Sequence, residues 1–273
     1  ATGPGALTLG GVTVSNALTA ALRAAAANVT VTVTGGAVSA TQDAFLLDDG
    51  CASCTLKVTG ASFSGGLMSG HAVEITAKAT GSQVTFENDD VHGDTSVLDA
   101  TATLSVSGST FKENGTEAES MINFAGQTID VTSSSITLST DNFGINLSGG
   151  TLTTSGLTIQ GGNYGIYQLS GNTKLRDTKI SGYVFMGFYL AQGALDLGTA
   201  MDRGGNAFST GTTGALVFGL YVDGVTRPVT SSNTTFNGVE PPAGTQAAPA
   251  TDPIAVTGEY FINDGTTMSF WTL

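Results

Sequence analysis

A repeat of roughly 22 residues is the feature of this chain that most constrains its fold. Residues 129–193 hold three successive copies, each with a short alternating strand, a small polar turn and a second strand that opens on a large side chain and glycine. These openings read Phe143-Gly144-Ile145, Tyr164-Gly165-Ile166 and Met186-Gly187-Phe188. A short repeat with strand periodicity and no helical periodicity predicts a β-solenoid, in which each copy forms one coil.

The pattern extends in both directions when the turns are allowed to vary in length. On one strand the aligned apolar positions are Val38, Phe63, Val91, Phe111, Ile136, Ile159 and Ile180. On the other strand the aligned outward positions are Glu74, Asp99, Asn123, Asn146, Tyr167, Tyr189 and Tyr221. Stacked coils bring equivalent residues to about 4.8 Å from one another. The alignment therefore predicts an all-β fold, a right-handed parallel β-helix of about eight to nine coils.

The segment from Ser15 to Ala27 departs from this pattern because it is rich in Ala and Leu. Ala and Leu favour helix, Ser15 or Asn16 suits an N-cap, and Leu18 and Leu22 lie four residues apart on one helical face. An open solenoid end exposes both its core and its strand edges. We expect a capping helix here, and the alternative is an Ala-rich first coil.

Three segments follow from these patterns. Residues 1–28 form an N-terminal strand and the capping helix, and residues 29–238 form the parallel β-helix. Residues 239–273 begin with a Pro-containing linker and end in two strand-like segments around Asn263-Asp264-Gly265. We expect this last segment to be a β-hairpin that caps the C-terminal end.

The chain is acidic, with a net charge of −13, and only 11% of its residues are charged. Such a surface disfavours binding to nucleic acid and to anionic membranes. No apolar run approaches the ~20 residues needed to span a bilayer, so we expect no membrane insertion within this chain. The composition suits an extracellular or cell-surface protein, and Ala1 in place of Met is the pattern expected after removal of a leader.

The two cysteines, Cys51 and Cys54, form a CxxC pattern. A redox CxxC needs a βαβ context, which is lacking around it, and a zinc site would need a second pair of ligands. The pattern is typical of a local disulfide in a turn, and two free thiols are the alternative.

The coil length, the V-x-x-S-x-I type of strand and the Gly-Ile or Gly-Phe second strand resemble the right-handed parallel β-helices of the pectin-lyase-like superfamily. The resemblance covers residues 29–238 and implies the fold. The superfamily includes pectate lyases, polygalacturonases, phage tailspikes and autotransporter passengers, so activity has to be argued from the site itself.

An acidic set formed by Glu87, Asp89, Asp90 and Asp94 is the candidate metal site. Carboxylate oxygens suit Ca²⁺, and lyases of the superfamily use an Asp cluster with a basic residue beside it. Here no pair of basic residues flanks the set on neighbouring coils. The alternatives are a structural Ca²⁺ site and a solvated acidic turn without metal; no other cofactor is expected.

Glu74 and Asp99 are the candidate catalytic pair, because stacking in register would hold their carboxyl groups about 5 Å apart. That separation is near the one found in retaining glycosidases. A polysaccharide lyase or glycoside hydrolase is therefore the alternative function. The polygalacturonase motif is incomplete, since Gly70-His71 lacks its second Gly and precedes the paired Asp89-Asp90.

Tyr167, Tyr189 and Tyr221 form the candidate binding surface, extended by Asn146 and Asn123. Tyr rings offer flat apolar faces with a polar tip, and Asn can donate to and accept from sugar hydroxyls. The alternative is that these residues only stabilise the sheet by stacking. We expect a secreted or cell-surface, adhesin-type module, non-catalytic, that contacts polysaccharide or another surface component.

Overall fold

The structure is a computed structural model, and it describes residues 4–65, 71–114, 120–139, 142–210, 217–223, 229 and 231–238, with the backbone of 260–263 and 268–271. It divides into two compact units, Ala1–Ile136 and Thr137–Leu273. Every regular element in the described residues is a β-strand. Each unit is a parallel β-solenoid, and each coil contributes one strand to each of three sheets.

In unit 1 the strands stack coil upon coil. The first sheet contains β1 (Gly5–Gly10), β4 (Val29–Thr34), β7 (Thr55–Thr59), β10 (Gln83–Glu87), β13 (Thr103–Ser107) and β16 (Thr128–Thr132). The second contains β2 (Thr13–Ala17), β5 (Ala37–Ala40), β8 (Ser62–Ser64), β11 (Asp90–His92), β14 (Thr110–Lys112) and, at the unit boundary, β17 (Ser135–Thr137). The third contains β3 (Ala20–Ala24), β6 (Asp43–Leu47), β9 (Val73–Ile75), β12 (Thr95–Val97) and β15 (Ser120–Phe124).

Unit 2 repeats this arrangement. Its first sheet contains β19 (Thr151–Ser155), β22 (Asn172–Arg176) and β25 (Ala194–Asp196). The second contains β20 (Thr158–Gln160), β23 (Lys179–Tyr183), β26 (Ala207–Thr210) and β28 (Thr235–Phe236). The third contains β18 (Phe143–Leu147), β21 (Tyr164–Gln168), β24 (Met186–Leu190), β27 (Phe218–Asp223), β29 (Tyr260–Asn263) and β30 (Met268–Trp271). Along the described residues the first-sheet strand occurs nine times, so the predicted solenoid and its coil number are confirmed.

The apolar row of the second sheet has the predicted register. In unit 1, Phe63 pairs with Val38 on one side and with Val91 on the other. In unit 2, Ile159 pairs with Ile180. These side chains are almost completely buried, because alternate residues of each strand point into the coil.

The predicted N-terminal capping helix is wrong. The segment forms β2 and β3, and Leu22 of β3 pairs with Phe45 of β6. Asn16 and Asn28 adopt positive φ of 60° and 57°, which a right-handed helix does not accommodate. Strand pairing with the next coil overrides the helix propensity of Ala. The segment is therefore the first coil, which was the alternative to the helix. Leu18 is 81% exposed and belongs to no buried helical face.

The glycines that open the third-sheet strands of unit 2 are required by close packing. A Cβ on Gly165 would lie 2.5 Å from the carbonyl oxygen of Gly187 and 2.3 Å from Cγ2 of Ile180. A Cβ on Gly144 would in turn lie 2.4 Å from the carbonyl oxygen of Gly165. The repeated Gly therefore lets the backbones of successive coils approach one another at this corner.

At the C-terminal end, β29 pairs in parallel with β27 and antiparallel with β30. This pairing is the predicted hairpin, while the Pro-containing linker predicted at the beginning of 239–273 lies outside the described residues. In the part of the chain that the structure describes, no helix has the length and apolarity to cross a membrane.

Candidate functional site

The outer face of the third sheet of unit 2 carries a cluster of rings, which we call the aromatic strip. It consists of Phe143, Tyr164, Tyr167, Phe185, Tyr189 and Tyr221. Tyr167, Tyr189 and Tyr221 occupy one row of the strand ladder, and Asn146 precedes them in the same row. The three Tyr side chains are half-buried, and Phe185 is 43% exposed.

The rings of the strip stack on one another. Tyr167 and Tyr189 are parallel within 9°, with centroids 4.6 Å apart, and Tyr189 and Tyr221 are parallel within 14° at 5.5 Å. Beside this row Phe143 stacks on Tyr164 at 4.9 Å. The flat faces of neighbouring rings are therefore turned toward each other, which leaves ring edges and hydroxyl groups as the outward surface.

Asp223 orders one end of the strip. The hydroxyl group of Tyr189 donates a hydrogen bond to Oδ2 of Asp223 at 3.2 Å. Burial, together with the negative charge of Asp223, raises the pKa of Tyr189 above its ordinary value. Burial also raises the pKa of Tyr164. These phenols are neutral at physiological pH and act as hydrogen-bonding groups.

Asn123 belongs to unit 1, where it pairs with Ser96 in the third sheet. Ser96 in turn pairs with Glu74, so the predicted stacking of Glu74 on Asp99 is wrong. The alignment placed Asp99 outward, whereas β12 ends at Val97, and it is Leu98 that is 40% exposed while Asp99 is only 3% exposed. Asp99 instead accepts a 2.8 Å hydrogen bond from the backbone N–H of Thr101 in the turn.

The predicted acidic set does not converge on one point. Glu87 faces Lys57 on the first sheet at 3.1 Å. Asp89 is buried in the turn, where its carboxylate accepts hydrogen bonds from the backbone N–H groups of Ala61 at 2.8 Å and of Glu87 at 3.0 Å. Burial raises the pKa of Asp89 to about 6, against the effect of these hydrogen bonds. Both oxygens of this side chain therefore serve as hydrogen-bond acceptors for the backbone of the turn.

Asp90 and Asp94 contact different partners. Asp90 bonds His92 at 2.8 Å and accepts a 2.6 Å hydrogen bond from Thr110. Burial raises the pKa of Asp90, but these bonds outweigh it and hold the pKa at about 2. Asp94 lies beside His71, 3.5 Å from its Nε2 atom. The four carboxylates thus have separate partners, and among the described residues their ligand atoms do not converge as a group. A Ca²⁺ site formed by them stays a prediction.

A different cluster, which we call the histidine cluster, forms where third-sheet strands of unit 1 begin, and it consists of Asp43, His71, Glu74 and Asp94. His71 Nδ1 lies 3.5 Å from Oδ1 of Asp43 and 3.9 Å from Oε2 of Glu74. Among the described residues, Asp43, His71 and Glu74 are the one group of three potential ligand side chains whose ligand atoms converge, all within 4.8 Å.

The charges in the histidine cluster are coupled. Burial lowers the pKa of His71, but the attraction of Asp43, Asp94 and Glu74 more than offsets this, so the pKa lies above its ordinary value. Burial raises the pKa of Glu74 and of Asp94. Sequence reasoning overlooked Asp43. The available signal was that Asp43 and His71 lie 28 residues apart, a separation within the range of coil lengths.

Cys51 and Cys54 lie in the turn between β6 and β7, and they are joined by a disulfide with Cα atoms 5.6 Å apart. Both residues are completely buried. The disulfide links two residues that are three positions apart, so it constrains only this turn.

Comparison of the chain with models of protein families, with curated proteins and with solved structures finds no match. The function of the chain is therefore inferred from the two sites described above.

Proposed function

We propose that this protein is a non-catalytic module of the cell exterior, an adhesin-type β-helix of the pectin-lyase-like kind, that contacts polysaccharide through its aromatic strip. The observation that carries the proposal is the row of Tyr167, Tyr189 and Tyr221. Its rings repeat at 4.6 and 5.5 Å along the direction of coil stacking. A repeating array of identical groups is complementary to a polymer with a short repeat laid along it.

Ring edges and phenol groups make the contact in this proposal. The stacked rings cover one another's faces, so a sugar lies across their edges and exchanges hydrogen bonds with the hydroxyl groups. Stacking also holds the rings in place before binding, which reduces the conformational entropy lost on association.

The disulfide and the charge support the proposed location. A disulfide between Cys51 and Cys54 persists in an oxidising compartment. The net charge of −13 disfavours polyanionic partners such as nucleic acid, and it favours a neutral or cationic polysaccharide.

Catalysis by Glu74 and Asp99 forms no part of the proposal, because Glu74 pairs with Ser96 in the ladder. Asp99 is buried and bonded to Thr101. Incubation with polysaccharides should therefore release no reducing ends and no unsaturated uronate.

The test is a polysaccharide array probed with the full chain. Tyr167→Phe and Tyr221→Phe keep the stacked rings and remove hydroxyl groups, so they should weaken binding to the best ligand while leaving the melting temperature nearly unchanged. The double variant should lower affinity by about tenfold, which corresponds to roughly 0.7 kcal/mol for each lost hydrogen bond.

Thr158→Ala, on the exposed face of the second sheet of unit 2, is the matched control and should bind as the wild type does. Failure of the wild type to bind any neutral or cationic polysaccharide would refute the proposal and leave the strip as a stabilising ladder. Equal binding by the double Phe variant would also refute it.

A further inference from the structure

The histidine cluster of unit 1 has a geometry that ion pairing alone does not account for. His71 Nδ1 is buried and has no hydrogen-bond partner among the described residues, although two carboxylates are aimed at it. The separations of 3.5 Å from Asp43 and 3.9 Å from Glu74 are too long for good hydrogen bonds. They are close to the ~3.4 Å that separates neighbouring ligands around a tetrahedral metal with bonds of ~2.1 Å.

Consecutive coils hold the ligand side chains in place. Asp43 opens β6, and its Oδ1 atom accepts a 2.9 Å hydrogen bond from the backbone N–H of His71. The backbone N–H of Ala44 in turn donates to the carbonyl oxygen of His71 at 3.1 Å. Glu74 is the outward residue of β9 and pairs with Leu46 of β6. Since both carboxylates and the imidazole are positioned by the strand ladder, little ordering is needed to bring them together.

The second nitrogen of His71 faces a further carboxylate. Nε2 lies 3.5 Å from Oδ2 of Asp94. Asp94 is itself placed by the backbone, because its carbonyl oxygen accepts a 2.7 Å hydrogen bond from the N–H of Ala72. A histidine that ligates a metal through one nitrogen commonly directs the other toward a carboxylate, which orients the ring and raises its basicity.

The charge balance also favours a cation. Asp43, Glu74 and Asp94 surround one imidazole, and in the described residues their ion pairs are made with His71 alone. Three carboxylates against at most one positive charge leave a negative excess in a half-buried site. A divalent cation would neutralise this excess while satisfying the buried Nδ1.

We propose that Asp43, His71 and Glu74 bind a divalent transition-metal ion of the zinc class, and that Asp94 orients the imidazole through its Nε2 atom. Imidazole nitrogen and carboxylate oxygen are both ligands of Zn²⁺, and three of them leave a fourth position for water or another ligand. The site is independent of the aromatic strip, which belongs to unit 2. It is also distinct from the acidic set predicted from sequence, of which it includes only Asp94.

Isothermal titration of the metal-free full chain with Zn²⁺ tests the proposal, with Ca²⁺ and Mg²⁺ as comparison ions. The wild type should bind one Zn²⁺ per chain and should bind Ca²⁺ and Mg²⁺ much more weakly. His71→Ala and Glu74→Gln should each weaken Zn²⁺ binding by more than about tenfold, and Asp94→Asn by about tenfold, since it removes only an orienting group. Binding should also raise the melting temperature of the wild type and not that of His71→Ala.

His92→Ala is the matched control, because His92 is the second of the two histidines and lies bonded to Asp90 on the neighbouring sheet. It should retain full affinity. A second readout is substitution by Co²⁺, which should give the intense visible absorption of a tetrahedral site in the wild type and in His92→Ala.

The absence of stoichiometric Zn²⁺ binding by the folded wild type would overturn the proposal, and would mean that His71 is held as an imidazolium among carboxylates. Binding that survives in His71→Ala, or that is lost in His92→Ala, would overturn it equally. Circular dichroism of each variant establishes that a loss of binding is not a loss of fold.

Discussion

Tyr189 stacks between Tyr167 and Tyr221, and its hydroxyl group donates a hydrogen bond to Asp223 on the next coil. The ring centroids lie 4.6 Å from Tyr167 and 5.5 Å from Tyr221, and the Tyr189 hydroxyl oxygen lies 3.2 Å from Oδ2 of Asp223. One side chain therefore links three successive coils of unit 2. Its ring provides stacking and its hydroxyl provides the hydrogen bond, so the two contributions can be separated by mutation.

Tyr189→Ala should destabilise unit 2 by about 2–4 kcal/mol, because it removes two stacked contacts and the apolar area of the ring. Tyr189→Phe is the matched variant that keeps the ring, and it should cost about 1 kcal/mol or less. Urea unfolding monitored by circular dichroism measures both values. Equal losses in the two variants would show that the hydrogen bond, and not the stacking, carries the contribution.

Gly165→Ala should destabilise unit 2 by about 1–3 kcal/mol. The added Cβ would lie 2.5 Å from the carbonyl oxygen of Gly187, which belongs to the backbone and cannot rotate away. Gly10→Ala is the control, since a Cβ at Gly10 meets nothing within 4 Å, and it should change stability by less than about 0.5 kcal/mol. Thermal unfolding of both variants checks the difference, and a tolerated Gly165→Ala would mean that the coils separate easily at this corner.

Arg176 joins two acidic residues of unit 2. Its guanidinium donates to Oδ2 of Asp196 at 2.7 Å and to both carboxylate oxygens of Asp202 at 2.7 and 3.0 Å. Arg176→Met should cost about 1–3 kcal/mol because these carboxylates lose a largely buried partner. Lys174→Met is the control: Lys174 contacts Asp202 from solvent and is 46% exposed, so its removal should cost less than about 1 kcal/mol. Similar unfolding midpoints for the two variants would contradict the expectation.

Asp89 should make the stability of unit 1 depend on pH. Burial raises the pKa of its carboxyl group from 3.8 to about 6, so between these values the folded chain holds a proton that the unfolded chain has lost. The contribution of Asp89 to the free energy of unfolding is therefore fully present below about pH 4 and falls as the pH rises toward 6. The total loss is on the order of 3 kcal/mol, and the contribution stays low above pH 6. The measurement is the difference in unfolding free energy between the wild type and Asp89→Asn from pH 4 to 7.

The variant Asp89→Asn cannot titrate and loses one acceptor for the N–H groups of Ala61 and Glu87. The difference should therefore shrink as the pH rises. Carboxyl groups with lowered pKa values, such as Asp48 and Asp90, act in the opposite direction in both proteins and cancel in the difference. A difference that is constant with pH would show that Asp89 is ionised throughout.

The disulfide has a direct test. Intact mass measured without reductant should be lower by two hydrogen atoms than the mass after reduction, because Cys51 and Cys54 are bonded. Thiol labelling of the unreduced, unfolded chain is the control and should modify neither cysteine. Labelling of both would remove the disulfide from the argument for an extracellular location.

The rows of the solenoid could be predicted where equivalent side chains repeat in kind. Tyr167, Tyr189 and Tyr221 were aligned from sequence, and the ladder places them in one row. The same reasoning failed at Asp99, because β12 is only three residues long and the turn after it begins at Leu98. Asp99 then looked equivalent to Glu74, although Ser96 occupies that position. A short strand with no repeated side chain leaves its register unspecified.

The sequence by itself determined the fold class, the approximate number of coils and the recurrence of Gly before Ile145 and Ile166, because stacking in register demands similar residues at each turn of the repeat. Only the tertiary structure decided that Ala20–Ala24 is a strand, since pairing with Asp43–Leu47 outweighs the helix propensity of alanine. It alone also decided that Asp43 meets His71. These residues are 28 positions apart, and the coil brings their side chains together through backbone pairing that no local pattern records.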